Sequence, residues 1–143
     1  MITRSKMRRQ LYRGGGIAGL YPRQKYGVGD FVRKLIPNEK ADLTSNSATT
    51  LYTVPSYSTA VIKSILVSED SGNADTITVT LTDTSENVFS LFKTKSISAN
   101  ATTELLSAPL VAQESEIIKV TAATANRLHV VLSALEIKPR DVT

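Results

Sequence analysis

The chain has no cysteine, no tryptophan and one histidine, His129, and aromatic residues fill only 6% of its 143 positions. Without cysteine there are no disulfides, no thiolate metal ligands and no Cys nucleophile. With one histidine, a His-based metal cluster or a Ser-His-Asp triad would hang on a residue that sits between Leu128 and Val130-Val131 in an apolar run. Such a strand histidine reads as structural. Long hydrophobic runs are also missing: none approaches the roughly 18–20 residues of a membrane span. The N-terminus is charged, but no apolar stretch with a small-residue cleavage site follows it, so no secretory signal is expected. Arg-rich and acid-poor, it looks like a transit peptide, but Gly14-Gly15-Gly16 breaks the continuous amphipathic helix such peptides need. The expectation is a soluble protein assembled in the cytosol, with no membrane partner.

Catalytic and ligand-binding signatures are equally scarce. Gly14–Gly16 and Gly27-Val28-Gly29 follow no strand, so they fit neither a Walker loop nor a dinucleotide fingerprint. Glu69-Asp70 and Glu114/Glu116 read as solvated loop charge, and no loop has the oxygen-ligand spacing of a calcium site. Asn100-Ala101-Thr102 matches a glycosylation sequon, a pattern short enough to occur by chance. The sequence therefore predicts a non-enzyme, with no catalytic residues, no metal site and no cofactor.

What is present is a division of charge. Residues 1–40 hold ten of the seventeen Lys/Arg and six of the seven glycines against two acids, about +8. Residues 41–143 hold seven bases and eleven acids, about −4. The asymmetry points to a partner for the basic part. Thr3 or Ser5 is placed to cap a short basic helix running through Arg8, Arg9 and Arg13, and a second is expected from Asp30 to Ile36, stopped by Pro37. Both are too short to be stable alone. Yet apolar anchors recur along the segment, so it reads as an extended arm that acquires order on a partner. The residues expected to make those contacts are Arg8, Arg9, Leu11, Tyr12, Tyr21, Arg23, Tyr26, Phe31, Arg33, Lys34, Leu35 and Ile36. Arg and Lys interleaved with Tyr also suit nucleic acid, bases on phosphates and rings on bases, which makes nucleic acid the alternative partner.

The remainder divides into a Ser/Thr/Asn-rich linker at 41–49, a domain at 50–138 and a short tail at 139–143. Strands are expected at Thr50–Val54, Thr59–Ser68, Thr76–Thr82, Asn87–Lys93, Lys95–Ser98, Thr103–Ser107, Ile117–Thr121 and Arg127–Ile137. In Thr76–Thr82 the alternation is clean, with Ile77, Val79 and Leu81 facing a core. Asp70–Asn73, Asp83–Glu86 and Ser98–Ala101 read as turns. About eight short strands with regular turn signals predict an all-β fold, an antiparallel β-sandwich or jelly roll. A sugar-stacking platform would draw on Tyr52, Tyr57, Phe89 and Phe92, of which the two phenylalanines are expected in the core, leaving thin material for it.

The body resembles a family of small β-sandwich virion proteins of tailed bacteriophages, of head decoration, fibre or neck type. The resemblance rests on Leu51-Tyr52-Thr53-Val54-Pro55, Thr59–Ile65, Ser98–Leu105, Ile118-Lys119-Val120 and Val130–Ile137. The first forty residues are similar to leaders on marine-phage structural proteins through Arg8–Tyr12, Gly15-Gly16-Ile17, Tyr21-Pro22-Arg23 and Tyr26–Lys34. The resemblance implies a virion location after assembly in the host cytoplasm. It also implies docking on a major capsid or head–tail connector protein, homo-oligomerisation, and no catalytic residues.

Overall fold

Threonine alternating with aliphatic residues produces nine strands and no helix among residues 37–138, the part of the chain that the computed structural model describes. In order these are β1 (Asn38–Asp42), β2 (Thr49–Thr53), β3 (Thr59–Glu69), β4 (Asp75–Thr82), β5 (Val88–Ile97), β6 (Thr102–Glu104), β7 (Leu110–Ala112), β8 (Ile117–Ala122) and β9 (Leu128–Ile137). They form two antiparallel sheets. Sheet A runs β1-β9-β3, with β6 and β7 sharing the outer edge of β3, and sheet B runs β2-β8-β4-β5.

The pairings β4·β5, β3·β6/β7, β2·β8 and β1·β9 are those of one long hairpin whose turn lies between β4 and β5. Rolled up, that hairpin gains the pairs β9·β3 and β8·β4, which join its two arms into a jelly roll. Asp83 builds the turn. Its Oδ1 accepts from the amides of Ser85 (2.8 Å) and Asn87 (2.9 Å), and its Oδ2 from the Asn87 side chain (2.9 Å). Glu86 takes φ 65° there. Those hydrogen bonds, the Asn87 side chain first, hold the Asp83 carboxyl below the usual range.

The inner faces supply one core, in which Leu43, Ile62, Ile65, Ile77, Ile97, Ile118, Leu128 and Leu132 are fully buried. Ile77 and Val79 face it as the alternation requires, while Leu81 packs against its margin. In β3 the inward residues are Ala60, Ile62, Ile65 and Val67, a spacing of two, three and two. The extra residue is a β-bulge at Lys63, where the register against β9 shifts between Ile62 and Ser64. The bulge restores inward facing to the second half of the strand. It also falls where the outer neighbour of β3 changes from β7 to β6. Glu104 fills that gap: its carboxylate accepts from the amides of Ile65 (2.9 Å) and Leu106 (3.0 Å) and from the Ser64 hydroxyl. Burial opposes ionisation of Glu104, but these hydrogen bonds outweigh it and leave its pKa lowered.

Four expectations need correction. Residues 38–42, divided by sequence between arm and linker, form β1 on the edge of sheet A, and Leu43 is in the core rather than in a linker. The charged Asn38-Glu39-Lys40 hid this strand, because an edge strand is allowed polar residues on its open side. The two strands expected at Asn87–Lys93 and Lys95–Ser98 are one, β5, bent at Thr94 (φ 48°) with its amide on the Thr78 hydroxyl. Thr103–Ser107 contracts to β6, and a short β7 follows Pro109. Phe89, expected in the core, is 52% exposed, whereas Phe92 does pack against the core.

Candidate functional site

The twelve residues expected to bind a partner, Arg8 through Ile36, lie outside the described residues. The structure does fix where the segment that carries them joins the body. Pro37 is buried and its carbonyl accepts from the Ala134 amide at 3.1 Å, and Asn38 pairs with Ser133. The segment therefore starts at the middle of β9. Beside that point a shallow depression is lined by Lys63, Ser133, Ala134 and Leu135, at the bulge in β3.

The two outer faces of the sandwich differ. On sheet B the outward positions of β4 and β8 include Thr76, Thr78, Thr80, Lys119 and Thr121, a polar surface suited to water. On sheet A the outward residues of β3, β7 and β9 include Val61, Leu66, Val111, Val131, Leu135 and Ile137. Val111, Val61 and Leu135 stand side by side across three strands, and Leu66 and Val131 are paired beyond the bulge. Val111 is 52% exposed, Ile137 42% and Leu66 38%. Half-exposed aliphatic residues in register on one face, and hydroxyls on the other, mark sheet A as the face with something to cover.

Two of the four sheet edges, that of β6 and β7 and that of β5, are guarded against strand addition. β6 and β7 have three residues each, and β5 carries Lys93 and Lys95 beside its bend and two register shifts. Short strands, lysines and bulges are the usual guards against edge-to-edge pairing.

Exposed apolar side chains also gather at one end. Strand registers bring together the loops after β2, β4 and β7 with the close of β9. Tyr57 (79% exposed), Val88, Phe89, Val111 and Ile137 all lie at this exit end, where residue 138 leaves β9. Glu86 and Glu114 are exposed among them.

Just inside the same end Tyr52 and Glu136 meet in the core. The Tyr52 hydroxyl donates to Glu136 Oε1 at 2.9 Å, linking β2 of one sheet to β9 of the other. Glu136 is 2% exposed, and its Oε2 has no hydrogen-bond partner. Burial, then the bond to Glu136 and the negative potential of Glu136 and Glu39, push the phenol strongly upward. Tyr52 is thus unavailable to stack on a sugar.

At the opposite end, His129 is flanked by Asp42 Oδ1, 3.4 Å from Nε2, and Asp70 Oδ2, 3.5 Å from Nδ1. The carboxylates face different ring nitrogens, so the three do not converge on one point. Among the described residues no group of three or more His, Cys, Asp or Glu is arranged to hold a metal ion. No helix there is long and apolar enough to cross a membrane.

Sequence reasoning passed over Glu69 as solvated loop charge, yet it is 3% exposed and ties two loops together. Its Oε1 accepts from the Ser71 amide (2.7 Å), the Ser71 hydroxyl and the Asn73 amide (3.3 Å). Its Oε2 accepts from the amides of Gly72 (3.2 Å) and Asn100 (2.7 Å). Gly72 takes φ 77° in this turn, a left-handed conformation that glycine adopts without strain. Led by the Ser71 hydroxyl, these donors lower the Glu69 pKa from 4.5 to about 2 against the opposing effect of burial. A depressed carboxyl stabilises the fold above its unfolded pKa, and that contribution disappears as pH falls through its folded pKa. The melting temperature should therefore drop between pH 4.5 and about 2, and Glu69→Gln should flatten part of that drop. Thermal melts across this range check it; equal slopes for both proteins would contradict it.

No protein-family model and no curated protein matches the chain. Among solved structures it is similar to a protein of the disulfide-linked pili that form Bacillus endospore appendages, at 12% identity and TM-score 0.44, over 75% of this chain and 91% of that one. It is also similar to a protein of infectious bursal disease virus Gt strain, at 9% identity and TM-score 0.41, over 79% of this chain and 33% of that one. A third likeness is to a C-terminal family 22 carbohydrate-binding module of Clostridium thermocellum, at 12% identity and TM-score 0.37, over 83% and 91%. At these identities and scores the likeness is loose.

Proposed function

We propose that this chain is a non-enzymatic structural protein of a tailed-phage virion, which decorates or cements the capsid by clamping neighbouring subunits with its basic N-terminal arm. The observation that carries the reading is the join between its two halves. A segment of about +8 is attached to a body of about −4, and it starts from β9 beside the apolar outer face of sheet A. The body supports a passive role, because its polar clusters serve the fold: Glu69 and Asp83 build turns and Glu104 seals a bulge. A rigid sandwich with one apolar face is suited to lie on a shell, and the arm adds apolar anchors and charge pairing on the next subunit. Burying a few hundred Å² of arm, at about 25 cal/mol per Å², outweighs a surface ion pair of roughly 0–1 kcal/mol. Repetition over a symmetric particle multiplies such contacts.

A fragment beginning at Pro37 is expected to melt within a few degrees of the full chain and to lose co-sedimentation with capsids. If the fragment binds capsids as well as the full chain does, the clamp reading fails. A neck or tail position would use the same clamp on connector subunits; the second reading, an internal position with the arm on packaged DNA, is favoured by Arg and Lys interleaved with Tyr12, Tyr21 and Tyr26. It predicts that log K for DNA falls by about 0.9 per neutralised phosphate for each tenfold rise in salt. A DNA titration at two salt concentrations separates the readings.

A further inference from the structure

We propose that the exit end of the sandwich is the receptor for the N-terminal segment of a second copy of this chain. The proposal rests on the reading of that segment as a docking element and names one of its partners. Among the described residues six large hydrophobic side chains are exposed, and five of them (Tyr57, Val88, Phe89, Val111 and Ile137) lie at this end, Leu66 being the exception. These apolar side chains come from separate loops and strand ends, so they offer separated contact points. Glu86 and Glu114 project among them. A ligand that fits carries spaced apolar anchors with cations between them, as in Arg8-Arg9-Gln10-Leu11-Tyr12 and Tyr21-Pro22-Arg23. Opposite charge steers such an encounter and fixes its register.

Chain length argues for a second copy. The stretch from Leu11 to Ile36 can extend to roughly 85 Å. The ten residues of β9 cover roughly 33 Å of strand. Anchors spread over that reach exceed what the chain's own exit end can seat, so the distal ones are available to the next molecule. Every copy carries both donor segment and receptor. The contact is then head-to-tail, and it closes into a ring or continues as a row, depending on the rotation between neighbours.

Charge exchange on the full-length protein tests this. Arg8→Glu/Arg9→Glu alters the segment, and Glu86→Lys/Glu114→Lys alters the receptor at exposed residues whose side chains take no part in the hydrogen bonds of the turns. The unaltered protein should self-associate in sedimentation experiments, more weakly at high salt. Each double variant should associate about tenfold or more weakly. An equimolar mixture of the two should recover association, since the glutamates of one then meet the lysines of the other. Phe89→Ser, which removes an apolar anchor without changing charge, is a second receptor probe should the lysine variant fail to fold. A protein that stays monomeric, receptor variants that associate like the parent, or a mixture that recovers nothing would overturn the proposal. A receptor variant that self-associates normally while the fragment starting at Pro37 loses capsid binding would sink this inference and leave the capsid-clamp reading standing.

Discussion

A chain lacking Leu66 is expected to lose most of its stability, whereas one lacking Lys63 should fold. Lys63 is the extra residue of the β3 bulge, where Ile62 pairs with Ala134 and Ser64 with Ser133. Without it Ala60, Ile62, Ile65 and Val67 fall at a regular spacing of two, so the second half of β3 keeps its inward face and its partners on β9. Removing Leu66 instead makes Ile65 and Val67 neighbours, and neighbours in a strand point to opposite faces. No register then buries both of these fully buried residues. Losing one such aliphatic side chain from the core costs about 2–5 kcal/mol. That is a large share of the roughly 5–15 kcal/mol that stabilises a typical domain. Circular dichroism and urea unfolding of the two deletion variants decide the matter, and a Lys63 deletion that fails to fold would mean that the bulge does more than absorb an extra residue.

The second large effect concerns Tyr52 and Glu136. Tyr52→Phe should destabilise the protein by about 1–3 kcal/mol, because it leaves a buried carboxyl group with no partner on either oxygen. Replacing both residues, as Tyr52→Phe with Glu136→Leu, should cost less than the single change. With the carboxyl gone, no buried polar atom of the pair is left without a partner, and apolar replacements of similar shape are well tolerated. Urea unfolding of the two single variants and the double variant forms the cycle. A double variant less stable than Tyr52→Phe would show that Glu136 contributes something other than this contact.

The sequence declares most of the sandwich because its inner and outer residues alternate. The β4 run from Thr76 to Thr82 can be read directly, and so can the turns around Asp70–Asn73 and Asp83–Glu86. The Lys63 bulge is written as the spacing of Ala60, Ile62, Ile65 and Val67, but it has meaning only once β9 lies alongside. Strand β1 was hidden because its pairing with β9 is remote in sequence and its own residues are polar. Two short strands, β6 and β7, take their shape from the edge of β3 and have little pattern of their own. Glu69 looks like loop charge until five donors are seen around its carboxylate. The apolar face of sheet A escaped for a different reason. Val61, Leu66, Val131 and Leu135 are as hydrophobic as core residues, and only the parity of each strand says which of them point outward.

The rolled hairpin has a consequence for how the protein is made. The last two strands to be synthesised, β8 and β9, are central: β9 lies between β1 and β3, and β8 between β2 and β4. While they are still inside the ribosome, β1 and β2 have no partner strand, and β3 and β4 each lack one neighbour. The domain therefore folds only after nearly all of it has emerged, in a single late step dominated by contacts remote along the chain, which is the slow regime for small proteins. A chain cut short before β9 therefore leaves β1 unpaired and one side of β3 open, and is expected to gain no half-stable domain.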